Sequence, residues 1–407
     1  MTRMILVAAT ILALLTISAR AKEQEQYCTD TSPRDLTVEM YPFVPNAEGM
    51  ALWIKENFEA GCKGLHLIIH MNGNYYSTDS TGILGSSADV YEVDSVFFED
   101  FLKRSPKPPS PSVIAQAGLP ISFAKTVATH NGTQIGVPHW VCSDFLFYPA
   151  ALPQFENLAK FDDVARELGS AKANILMDIK GGSTLGELYL SILVSEYGSR
   201  EEALRRLALP TLDDAAVDIL RRTVTLEPAG FGRDQDYHYR DGFYPRQFAY
   251  KANSSIYVGY SEDTYYVLTE AAVSCPHDKC LDEDKIQVTR WPFSNGSPQG
   301  VAWVDMYFID QKAADAKLRD AEAFIKFMMS AATYLQLLFP TSDPSPSPRY
   351  LLPARDDLYA NGNLSKGKLY PKFRALIDSA IPITAEGLNA RLHDVASQLE
   401  KALPAAH

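Results

Sequence analysis

Five cysteines occur in the chain, and Cys142, in the run Val137-Pro138-His139-Trp140-Val141-Cys142-Ser143-Asp144-Phe145, alone has no close sequence partner. It is the first candidate for a nucleophile. The thiolate rather than the thiol attacks, and an ordinary cysteine has a pKa near ~8.5, so such chemistry needs a base within reach of the sulfur. Cys275 and Cys280 flank the turn-like Pro276-His277-Asp278-Lys279, which leaves Cys28 and Cys62 for each other in an oxidising compartment. Two other readings stay open: a buried free Cys142 acting as a small hydrophobe, and a bond between Cys142 and Cys62.

Other patterns carry less. Gly259-Tyr260-Ser261 begins like the elbow that presents a nucleophilic serine, yet the glycine required at the fifth position is Asp263. Gly181-Gly182-Ser183-Thr184 opens a helix as an anion-binding loop does, but no lysine follows. His66 and His70 share one face of a strand with no third ligand nearby, so a metal site is not expected. A papain-like protease pairing Cys142 with His139 lacks the Cys-Gly-Ser-Cys-Trp signature around the cysteine.

The elements that must position these residues alternate strand and helix, as in an α/β sheet. Leu36–Tyr41 alternates like a strand and stops at Pro42, so Tyr41 sits where strand gives way to loop. A helix around residues 51–60 leads to a strand over Leu65–His70 and the polar aromatic loop Asn72-Gly73-Asn74-Tyr75-Tyr76. The strand Val90–Val93 ends in Asp94, which is either a ligand contact or the N-cap of the next helix. Asn131-Gly132 predicts a hairpin between strands Lys125–Thr129 and Gln134–Val137. Ser183-Thr184 opens a helix with Leu185, Leu188 and Ile192 on its apolar face, and Val301–Phe308 reads as a strand. Two amphipathic helices, Ala316–Leu338 and Glu386–Leu403, close the chain.

At 407 residues and 46% hydrophobic content the chain can bury a sizeable core and form about two lobes. Residues 1–21 carry Arg3, an apolar run from Met4 to Leu15 and the small-x-small site Ala19-Arg20-Ala21, which reads as a cleaved secretory signal. No later stretch reaches the ~20 apolar residues of a transmembrane helix, so the mature chain is expected to be secreted and soluble. The formal charge is −12 and becomes two units more negative once Arg3 and Arg20 are removed with the signal. That argues against nucleic acid or an anionic membrane as partner and suits a cationic small ligand. Sequons at Asn131, Asn253, Asn295 and Asn363 are compatible with glycosylation.

Laid out in order, Tyr41-Pro42-Phe43-Val44-Pro45, Val93-Asp94-Ser95-Val96-Phe97, Pro138-x-x-x-Cys142 with Leu146-Phe147-Tyr148, Gly181-Gly182-Ser183-Thr184 with Tyr189-Leu190, Gly259-Tyr260-Ser261-Glu262 and Tyr350-Leu351-Leu352-Pro353-Ala354-Arg355 form a specific set. By these pieces the chain resembles thiaminase I (thiamine pyridinylase) over most of its length. The resemblance implies an α/β, two-lobed type II periplasmic-binding-protein-like fold with the site in the interlobe cleft. The implied lobes are 34–142, completed by about 300–345, and 143–299, with a C-terminal helical cap over 346–407.

The resemblance also implies that Cys142 adds to C6 of the thiamine pyrimidine, that Glu262 is its general base, and that an external base replaces the departing thiazole. That base is of pyridine, aniline or thiol type; no cofactor is implied, and the expected protein is a monomer. Asp94 and Asp305 match family cleft aspartates that bind the aminopyrimidine, and Tyr41, Tyr76 and Tyr260 match its aromatic walls. Trp303 stands where the family has tyrosine and is expected with them to bind substrate, and Ser143-Asp144 stands where the family has a Thr-Asn pair. A binding protein on the same scaffold, which captures thiamine without turning it over, is the alternative. It has no need of both Cys142 and Glu262.

Overall fold

The computed structural model describes residues 26–403 apart from 181, 229–230, 232–241, 251–253, 275–280, 342–346, 361, 363 and 365–366. The signal-like residues 1–21, the Cys275–Cys280 pair and the sequon asparagines Asn253 and Asn363 lie outside the described residues.

Thirteen strands are present among them: β1 (Arg34–Met40), β2 (Leu65–Met71), β3 (Val90–Asp94), β4 (Thr129–His130), β5 (Thr133–Gln134), β6 (Val137–Cys142), β7 (Phe145–Pro149), β8 (Asn174–Met177), β9 (Ser255–Gly259), β10 (Ile286–Arg290), β11 (Val301–Ile309), β12 (Leu352–Pro353) and β13 (Ile381–Pro382). One sheet has the order β12-β6-β11-β3-β1-β2, with β13 also pairing with β11, and the other the order β10-β7-β9-β8. In the larger sheet β1 is flanked in parallel by β2 and β3, and β11 runs antiparallel to both β3 and β6. Every residue of β3 and β11 is buried, which is why both read as nearly continuous apolar runs rather than alternating ones. The carboxyls of Glu92, Asp94 and Asp305 interrupt those runs, and burying them needs an explanation that packing does not supply.

Three sequence expectations change. The turn at Asn131-Gly132 forms, with both residues at positive φ, but its strands shrink to two residues each because Ser122–Val127 is helical. The segment Ala316–Leu338 is two helices, Asp315–Met328 and Ala331–Leu338, broken where Ser330 turns extended and caps the second by accepting from Thr333 N. Residues beyond 346 are not helical throughout, since β12 and β13 join the larger sheet. Among the described residues no helix is long and apolar enough to cross a membrane.

Two local features aim the strands at one another. The pairing of β6 with β11 slips between Asp305↔Trp140 and Met306↔Pro138, so His139 is the extra residue of a β-bulge. Pro138, with no amide hydrogen, is tolerated inside a sheet at such a bulge. Only Ser143 and Asp144 then separate the end of β6 in one sheet from the start of β7 in the other, and Ser143 is pinned by donating to Val301 O at 2.7 Å.

Candidate active site

Residues paired across a ladder point to the same face of the sheet. Cys142 is paired with Trp303, Asp305 with Trp140, and Asp305 also with Asp94. The thiol, both aspartates and Trp303 therefore share one face at one end of β6, β11 and β3. Cys142 is free and partly exposed, and Trp303 beside it is 3% exposed.

Tyr41 follows the last residue of β1, at the C-terminal ends of the parallel strands β1 and β3, the usual ligand side of such a sheet. The two adjacent tyrosines after β2 divide their work. Tyr75 is fully buried; its hydroxyl donates to Glu92 O at 3.0 Å and accepts from Asp94 N at 2.8 Å, tying the loop to β3. Tyr76 is the one that meets the carboxyl: its hydroxyl donates to Asp94 Oδ2 at 2.6 Å and lies 3.3 Å from Tyr41 Oη. Asp94 also accepts from Val96 N at 2.9 Å, so the helix N-cap and the partner of Tyr76 are one carboxyl.

On the same face, two residues before Asp94 along β3, Glu92 and the bulged His139 form a buried pair, Oε1 to Nδ1 at 2.5 Å, with Glu92 Oε2 accepting from Tyr41 N at 3.2 Å. The bulge thus turns His139 toward β3 rather than toward Cys142. It holds the strand ends that carry Tyr41 and Asp94.

Glu262 lies 120 positions beyond Cys142 in sequence, and the two sheets close that gap. Phe145, three residues after Cys142, pairs with Gly259 at the end of β9, and Tyr260-Ser261-Glu262 follow directly. A side chain at Gly259 would collide with the Tyr257 hydroxyl and the Asp263 carboxyl, so the glycine serves a close approach and not a serine elbow. Asp263 Oδ2 accepts from Tyr257 Oη at 2.6 Å and from Tyr260 N at 2.8 Å, which fixes the turn. Ser261 donates to Glu262 Oε2 at 3.1 Å.

The electrostatics join the two sides. Burial pushes the Cys142 thiol well above the ordinary range, and Asp305, Glu262, Asp94 and Glu187 push it further. Burial first, then Asp263, raises Glu262 to about 8. Asp305 is driven well up by burial, Asp94, Glu92 and Glu262, and among the described residues no hydrogen bond reaches its carboxyl. Asp94 is raised by burial but eased back by donors from Tyr76, Val96 and Ser95. The pair is asymmetric: donors from Tyr76, Val96 and Ser95 favour the ionised form of Asp94, and among the described residues none does so for Asp305.

Two further carboxyls lie here, Glu187, which went unread in the sequence, and Asp144, read there only as a departure from the family pattern. Glu187, on the helix Gly182–Tyr197, accepts from Tyr260 Oη at 2.8 Å, and Asp144, in the crossover after Cys142, is raised to about 7 by burial and Asp263. The signal for Glu187 was a carboxylate set in the apolar run Leu185–Val194. Elsewhere, Cys28 and Cys62 form a disulfide, which removes the Cys142–Cys62 alternative. His66 and His70 face Asp35 and Glu39 across β1 and β2, at 3.3 and 3.8 Å.

No protein-family model matches the chain. Thiaminase-1 of Paenibacillus thiaminolyticus is 24% identical over 362 residues, 85% of this chain and 82% of that protein. The structure of thiaminase I from Bacillus thiaminolyticus superposes with a TM-score of 0.74 at 22% identity, covering 91% of this chain and 100% of that one. Clostridium botulinum thiaminase I in complex with thiamin also gives 0.74, at 18% identity, with 90% and 99% covered. A maltose-bound protein of T. maritima, 12% identical, follows the same fold with a TM-score of 0.63 over 91% of this chain and 100% of that one. The resemblance read from the separated sequence pieces is thus borne out in sequence and in fold: the chain is similar to thiaminase I along most of its length and has the two-lobed α/β architecture of type II periplasmic binding proteins.

Proposed function

We propose that the protein is an exported, monomeric thiamine-degrading transferase that replaces the thiazole of thiamine with an external base. The observation that carries this reading is the gathering around one free thiol of a paired acid and carboxylate, Asp305 and Asp94, and a second-sheet carboxyl of raised pKa, Glu262. A binding-only protein has no use for that thiol. The solved relative that holds thiamin supports the choice of ligand.

In the proposed reaction the Asp94 carboxylate accepts from the pyrimidine amino group, and Asp305 donates to a ring nitrogen. Glu262 takes the Cys142 proton as the sulfur bonds to C6, and the electron density arriving on the ring is offset by the Asp305 proton. The adduct then expels the thiazole from the bridging methylene, the thiazolium nitrogen leaving with the electron pair as neutral thiazole. The external base bonds to that methylene, and loss of the thiolate restores the aromatic ring. Thiamine's own positive charge assists, because a cation beside a thiol crowded by carboxyls favours the thiolate. Tyr41, Tyr76 and Tyr260 supply aromatic faces worth ~0.5–2 kcal/mol each to a cationic ring.

The test is incubation of the protein with thiamine and pyridine, with released thiazole followed by chromatography. Release at a rate proportional to protein supports the transferase; tight thiamine binding without release contradicts it.

A further inference from the structure

One buried carboxyl has no part in the reaction as written above. Glu187 is 7% exposed, on a helix whose neighbouring residues Leu185, Leu188 and Leu190 pack in the core. Among the described residues its carboxyl takes a single hydrogen bond, from Tyr260 Oη at 2.8 Å, which leaves its second oxygen for a ligand. Burying such a group costs folding free energy, and one phenol does not repay it. Its surroundings come from both sheets. Burial raises its pKa to about 8, with Asp94 and Asp144 adding to the shift, and Glu187 in turn acts on Cys142 and on Tyr76. The carboxyl therefore stands by the space that Cys142, Asp94 and Tyr260 face, on neither the β3–β11 ladder nor the Glu262 turn.

We propose that Glu187, held by Tyr260, is the proton acceptor for the incoming nucleophile and fits the protein to accepting bases that carry a proton, namely thiols and aryl amines. This rests on the transferase reading. The sulfur or nitrogen lone pair of the acceptor forms the bond to the methylene carbon while its S–H or N–H proton passes to the Glu187 carboxylate, which later releases it to solvent. Pyridine has no such proton and ends as a pyridinium. A base of raised pKa is the stronger proton acceptor when ionised, and its carboxylate is populated near neutral to mildly alkaline pH.

Steady-state kinetics of Glu187→Gln with three acceptors, 2-mercaptoethanol, aniline and pyridine, test it. Expected are a fall of about a hundredfold in kcat/KM for the thiol and a clear fall for aniline, the usual scale for a positioned base. The fall in the values for pyridine and for thiamine, which reports the first half-reaction, should be at least about tenfold smaller than the fall for the thiol. An equal fall for all acceptors, or none for the thiol, overturns the proposal. If that variant does not fold, Glu187→Asp, which keeps the charge and shortens the reach, must show the same selective loss; a uniform loss overturns the proposal there too. Wild-type protein that releases no thiazole with any of the three acceptors contradicts the transferase reading itself, and the inference falls with it.

Discussion

Asp94 and Asp305 stand directly opposite each other across the antiparallel β3–β11 ladder, both buried. Like charges so placed repel, so the arrangement costs stability unless a ligand uses it. Asp94→Asn and Asp305→Asn should each lower kcat more than they raise KM, because the carboxyls act on a ring whose charge develops during the reaction. Stability should move the other way for Asp305. Its folded-state pKa lies above the unfolded one, so the folded protein loses stability as pH rises from the unfolded value through the folded one. Removing the group relieves that loss: Asp305→Asn should melt higher than wild type at pH 7 and alike below about pH 4. An unaltered kcat in both variants would withdraw the aspartates from the site.

Glu262, raised to about 8, works as a base only when ionised. With pyridine as acceptor, kcat/KM for thiamine should rise with pH through a limb near 8. Glu262→Gln should abolish that limb and lower the rate by about two to four orders of magnitude. A pH profile unchanged in the variant assigns the base elsewhere.

Cys142 in the ligand-free protein should be a poor nucleophile, since burial and the carboxylates around it hold the thiol protonated. Alkylation by iodoacetamide at pH 7.5, mapped by peptide mass, should run at least about tenfold slower than for an exposed cysteine of ordinary pKa. Alkylation as fast as an exposed cysteine would mean the carboxyls do not face the sulfur.

The Cys28–Cys62 bond closes a loop with a sequence separation of 34 and ties the N-terminal segment to the end of the helix Ala47–Gly61. Replacing both cysteines with serine should cost about 3–4 kcal/mol in denaturant unfolding. Activity per folded molecule should not change, because the bond lies in the core and touches none of the site residues.

What was legible in the sequence was local. Tyr41 at a strand end, Asp94 as a cap, and β1, β2, β3 and β11 as strands follow from periodicity and turn chemistry. Asp94 caps the helix and also meets Tyr76, since its two oxygens serve Val96 N and Tyr76 Oη separately. The hairpin strands were overextended because Ser122–Val127 prefers helix, and one long helix was drawn where Ser330 caps a second. The bulge at His139 depends on the register of β6 against a strand more than 160 residues away, which no local pattern carries. Glu187 stands out in sequence only as a carboxylate within the apolar run Leu185–Val194, and its partner Tyr260 is 73 residues away, which no local pattern carries.

The central claim is that Cys142 carries the chemistry, and the most direct test is thiazole release from thiamine and pyridine by wild type and by Cys142→Ser, with thiamine binding measured calorimetrically on the same samples. A hydroxyl of far higher pKa cannot supply the attacking anion, so the serine variant should bind thiamine and release no thiazole above background. Release by Cys142→Ser at near the wild-type rate would remove the cysteine from the mechanism and contradict the account.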